Sequence, residues 1–203
     1  MDTDVYQTLK TTSEGFYKEK GSKFLAFAIP CDSVEKAKTH IADLRKEHHN
    51  ACHVCFAWRF GFNQYQDRFS DDGEPSNSAG KPIFGQIQAF DLTNTLIAVV
   101  RYYGGTNLGV GGLIHAYKTS AKEALEKAEI LQCYVTESMR LLHTYDGTGI
   151  AMQILQQVSA EIIEQGYQAP NPFITFTIRK SFIDQLKRTV ENTKNITLES
   201  VNY

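Results

Sequence analysis

The sequence predicts an α+β protein of two domains, 1–130 and 131–203, and three observations lead there. Apolar alternation at period two is interleaved with apolar spacings of three and four, so strands and helices share each half of the chain. Residues 96–103 form an almost wholly apolar run that breaks into a glycine-dense turn before a helical pattern restarts. Beyond residue 130 the pattern resets into the order strand, helix, strand, strand, helix, strand. A chain of 203 residues, 42% hydrophobic with 22 Phe and Tyr, has the material to bury a core in each half.

In chain order, residues 6–17 and 22–30 read as strands joined by Lys18-Glu19-Lys20-Gly21. Asp32 or Ser33 caps the next helix, with Glu35 three residues beyond Asp32, and Val34, Ala37, Ile41 and Leu44 mark its buried face. Residues 52–58 form a strand that places Cys52, Val54, Phe56 and Trp58 on one side and His53, Cys55 and Ala57 on the other. The two cysteines therefore face opposite ways and are not expected to share a metal or a disulfide. Residues 61–78 are polar and rich in turn formers. Ser78 is placed to cap a helix over 80–90, which carries Lys81 and Pro82 in its first turn. The strand 96–103 puts Ile97, Val99, Arg101 and Tyr103 on one face and Ala98, Val100 and Tyr102 on the other. A helix over 112–128 then shows a small-residue face and a stripe of His115, Lys118 and Lys122. The tail reads as strands 132–142, 160–168, 173–179 and 196–202 with helices 146–158 and 181–193, the order of a ferredoxin-like domain.

Charge excludes some function classes. The net charge is −2, and the tail holds six basic against seven acidic residues, so no global basic field attracts nucleic acid. The start, Met1-Asp2-Thr3-Asp4, lacks signal-peptide character, and no apolar run is long enough to span a bilayer. Four scattered cysteines do not form a disulfide framework. The expected location is cytoplasmic, with no membrane partner and no sequence-specific DNA readout.

Chemistry concentrates at one place. Of 14 glycines, five (Gly104, Gly105, Gly109, Gly111 and Gly112) fall within nine residues between a strand and a helix. Such a turn can aim free N–H groups at an anion above a helix N-terminus, although it lacks the Gly-Lys-Ser/Thr of a P-loop and the third glycine of a dinucleotide fingerprint. Arg101, Tyr102, Tyr103, His115, Lys118, Lys81 and Lys23 are the charged and aromatic candidates around it. Asp71, Asp72 and Glu74 in the acidic loop could hold a hard cation, or could instead supply the partner that a buried Arg101 requires.

The run 99–105, with Leu108-Gly109 and Gly111-Gly112-Leu113, resembles the signature of the Impact family, also called the YigZ family. His53-x-Cys55-x-Ala57-Trp58, Ser70-Asp71-Asp72-Gly73-Glu74-Pro75, Ala79-Gly80-Lys81-Pro82 and Ser22-Lys23-Phe24 fit the same pattern. The resemblance covers about 15–125, and the tail is similar to the C-terminal domain of the bacterial branch. It implies a first domain folded like the second domain of ribosomal protein S-five and a second similar to the last domain of elongation factor G. It brings no established catalytic residue and no substrate. Eukaryotic relatives bind an activator of a stress-responsive translation kinase through an additional N-terminal domain, so that partner does not transfer. The reading is a non-enzymatic factor that engages RNA or the ribosome, without a cofactor. One alternative is a magnesium-dependent enzyme acting on a phosphorylated small molecule or nucleotide, with His53 as general base; the other is a protein–protein adaptor.

Overall fold

Apolar alternation decides what each side of the main sheet covers. The computed structural model describes residues 4–201 and divides into one unit over Tyr6–Cys133 and another over 134–201 together with residues 4 and 5. In the first unit β1 (Val5–Leu9), β2 (Ser13–Glu19) and β3 (Ser22–Pro30) precede α1 (Val34–Glu47). Next come β4 (His53–Phe60), β5 (Gln66–Ser70), α2 (Gly80–Ala89), β6 (Thr95–Tyr102), α3 (Gly109–Glu126) and β7 (Ile130–Tyr134). Five strands form an antiparallel sheet in the order β2-β3-β6-β4-β5, and β1 pairs separately with β7. The apolar β6 is thus central. Its Ile97 and Val99 join Phe24, Ala26, Cys55 and Ala57 under α2 and α3, while Ala98 and Val100 join Val54, Phe56 and Trp58 under α1.

Several local expectations change for physical reasons. The polar stretch 61–78 contains β5, whose residues are mostly exposed and therefore carry little apolar signal. Ser33 caps α1 by accepting the Lys36 N–H at 3.3 Å, and Asp32 pairs with the Lys36 ammonium instead of the helix. Ser78 does not cap α2: its hydroxyl donates to the Pro75 carbonyl at 2.6 Å. Helix α3 begins at Gly109, so three of the five glycines lie in its first turn.

In the second unit the order is β8 (Thr136–His143), α4 (Thr148–Gln157), β9 (Glu161–Gln168), β10 (Asn171–Arg179), α5 (Ile183–Glu191) and β11 (Ile196–Ser200). The sheet runs β11-β8-β10-β9, and Leu141, Ile174 and Phe176 pack on Ile154, Leu155 and Leu186. The single strand expected over 132–142 is broken at Val135, whose N–H donates to the Asp4 carbonyl and whose carbonyl accepts from the Lys180 N–H. Asp4 also accepts a two-pronged bond from Arg179 and one from the Ser181 N–H.

Candidate functional site

A guanidinium at the end of an apolar strand must find an anion, because an unpaired buried charge costs several kcal/mol. Arg101 closes β6 at 6% exposure, between Phe24 of β3 and His53 of β4 in the strand register. Glu74 supplies the anion, reaching in from the acidic loop so that its Oε1 lies 2.5 Å from Arg101 Nη1. The same oxygen accepts the Tyr117 hydroxyl of α3 at 2.7 Å, and His53 Nε2 lies 4.0 Å away. His53 Nδ1 meets the Asp72 carbonyl at 2.7 Å, which fixes that nitrogen as the donor. The Cys55 thiol donates to the Asp71 carbonyl at 3.0 Å and lies 3.3 Å from the Tyr117 hydroxyl. Burial, followed by the nearby Glu74 carboxylate, pushes the Cys55 thiol well above its ordinary range; burial first and then Cys55 do the same to Tyr117. Both remain protonated donors, so Cys55 is not poised as a nucleophile.

The acidic loop is held by protein donors throughout. Asp71 accepts the Ala79 and Gly80 N–H groups at 2.9 and 2.8 Å and the Asn77 N–H at 2.8 Å, which makes it the cap of α2. Asp72 accepts the Val54 N–H at 2.7 Å and pairs with Arg45 at 2.6 Å. With Glu74 committed to Arg101 and Tyr117, the three carboxylates serve three different partners. Among the described residues, no group of three or more His, Cys, Asp or Glu side chains is arranged to hold a metal ion.

The glycines of the turn have separate roles. A Cβ on Gly104 would fall inside the backbone of Gly21 and Ser22, and the Gly104 N–H donates to Ser22 Oγ at 3.1 Å, so this glycine locks β6 to β3. Gly105 and Gly109 have φ of +83° and +71°, which a side chain would strain. Gly111 has neither constraint: a Cβ there meets nothing within 4 Å. Among the described residues no side chain caps α3, and no acidic residue stands in its first turn, although anions are favoured there. Tyr103, 47% exposed, lies with its ring 5.6 Å from the Arg101 guanidinium and its hydroxyl 3.3 Å from Asn107 Oδ1. His115 and Lys118 are exposed on α3, with the His115 ring edge-on to Tyr17 at 5.5 Å. Lys122 pairs with Glu126, and Lys81 is exposed in the first turn of α2.

Some predicted residues do not join this surface. Tyr102 points to the α1 side, where its hydroxyl meets His48 Nδ1 at 2.9 Å. Lys23, opposite Tyr102 in the register, shares that other face. Arg101 is buried and neutralised by Glu74, so it braces the turn from beneath. Tyr117 has no assigned role in the sequence; a phenol on the small-residue face of the 112–128 helix is the signal that marks its hydroxyl as needing a partner. Arg45 gave none, since helical spacing does not reveal a contact with Asp72.

The Impact N-terminal domain family model matches residues 20–125, a span that holds every motif named above. An IMPACT family member of Haemophilus influenzae is 36% identical over 152 residues, 74% of each chain. IMPACT family member YigZ of Escherichia coli is 38% identical over 153 residues, again 74% of each. A solved structure described as a crystal structure of an hypothetical protein has a TM-score of 0.72 at 28% identity and covers 98% of both chains.

Proposed function

The chain belongs to the Impact family, and from that membership and the turn heading α3 we propose a non-enzymatic, cytoplasmic factor that holds RNA phosphates in a translation-associated, ribosome-directed role. The observation that carries this reading is the uncapped start of α3. Its first-turn amides have no capping side chain, no acidic neighbour and, at Gly111, open space where a side chain would stand. A phosphate oxygen is the ligand such amides suit. Lys118 and Lys81 add positive charge, His115 adds a ring nitrogen able to hydrogen-bond, and the half-exposed Tyr103 offers a ring on which an unpaired base can stack.

Gly111→Ala separates a binding site from a simple turn. Alanine fits the space and favours a helix over glycine by up to about 1 kcal/mol, so the variant should melt no lower than the parent. If phosphate approaches the bare backbone, the same methyl weakens RNA binding several-fold in a gel-shift titration with structured RNA and ribosomal subunits. Absence of binding at low salt, or an unchanged affinity for both Gly111→Ala and Lys118→Ala, would overturn the proposal.

A further inference from the structure

The face of the sheet opposite α3 carries a second surface that the glycine turn does not use. Helix α1 covers β3, β6 and part of β4, leaving a pocket of about 260 Å³ beside β5. Its floor is Ile41, Phe56 and Trp58, part of a ladder in which Phe56, Trp58 and Phe60 stack at 5.2 and 5.6 Å with nearly parallel rings. Its rim is cationic: Lys38 and Arg45 from α1 and Arg68 from β5, whose guanidinium sits 5.5 Å from the Trp58 ring. Only Arg45 has an ion-pair partner, Asp72; among the described residues neither Lys38 nor Arg68 forms an ion pair. Beside the pocket, β5 is the last strand of its sheet, so one row of its backbone groups faces no other strand.

We propose that this face docks an extended acidic peptide, which adds to the edge of β5 and inserts one large apolar side chain into the Phe56–Trp58 pocket. Each element of the surface selects that occupant. The free edge supplies main-chain hydrogen bonds to any extended segment, and the pocket and its rim supply the specificity. A volume of about 260 Å³ admits one large aliphatic or aromatic side chain. Trp58 is 3% exposed and stacked by Phe56 and by Phe60, so it offers no open ring face to a base, which disfavours a nucleotide. Two cations without ion-pair partners, Lys38 and Arg68, complement carboxylates flanking the apolar anchor, and they repel basic segments.

The test is selection of random twelve-residue peptides, displayed on phage, against the full chain and two variants. Ala42→Trp fills the pocket from an exposed position on α1, and Arg68→Glu inverts the rim. The expected consensus is one Trp, Phe or Leu flanked by Asp and Glu, with enrichment at least tenfold lower on each variant. A synthetic consensus peptide should slow hydrogen exchange of the β5 amides and lose affinity as salt rises. Lys38→Glu gives the same reading if either variant fails to fold, as judged by circular dichroism. Failure to enrich any peptide, a basic consensus, equal enrichment on folded variants, or displacement of the peptide by a single-stranded RNA hexamer would overturn the proposal.

Discussion

Glu74 is the residue on which the end of the main sheet depends. Its carboxylate neutralises Arg101 and accepts from Tyr117 at 4% side-chain exposure. Glu74→Gln leaves the guanidinium buried beside a neutral amide, and chemical denaturation should show a loss of about 3–5 kcal/mol. Tyr117→Phe removes one hydroxyl from the cluster and should cost about 1–2 kcal/mol. An equal loss for both would mean that the ion pair contributes nothing beyond a hydrogen bond. In the second unit, Arg179 and the Ser181 N–H hold the Asp4 carboxyl down at about 2, against an ordinary 3.8. A folded value below the unfolded one contributes stability that is complete above about pH 4 and is lost as pH falls towards 2. Asp4→Asn should therefore lower the melting temperature at neutral pH and flatten its dependence between pH 4 and 2. A parallel acid limb in the variant would assign that loss to other carboxylates.

Among the elements, the three helices of the first unit differ most at their starts. Ser33 caps α1 locally, Asp71 caps α2 from eight residues upstream, and no side chain caps α3. Asp71→Ala strips a helix start and Asn77 of their acceptor and should lower the melting temperature by several degrees. Because the carboxylate serves backbone amides, that shift should be the same in magnesium and in EDTA. A loss seen only in magnesium would restore the acidic loop as a cation site. The local cap at Ser33 could be read from spacing. The Asp71 cap could not, since it depends on where the loop folds back, and β5 was hidden for a related reason: an exposed edge strand has no apolar period.

For the whole molecule, the charge balance sets how the proposed RNA binding must behave. A net charge of −2 provides no long-range attraction, so the proposed affinity has to come from a few local groups. With Lys118 and Lys81 as the charged contacts, log K against log salt should fall with a slope of about −1.4 for single-stranded RNA, and Lys118→Ala should reduce its magnitude by about 0.7. A slope several times steeper would place the contacts on another surface. Among the described residues no helix is long and apolar enough to cross a membrane.

Legible in the chain alone are the alternating faces of β4 and β6, the opposed cysteines, the strand-helix order of the second unit and the family. All but the family follow from period and composition, which are local properties of the chain; the family follows from the resemblance of its motifs. The sequence also required a partner for Arg101, since charge in an apolar strand demands one, and it offered the acidic loop as a candidate, with a cation site as the alternative use of those carboxylates. Folding selects Glu74 as the partner, turns Asp71 and Asp72 to backbone amides and Arg45, and sets Tyr102 and Lys23 on the α1 face. Carboxylates one to three residues apart look equivalent along the chain. They part only when the loop closes against β4, α2 and α3 and gives each a different donor.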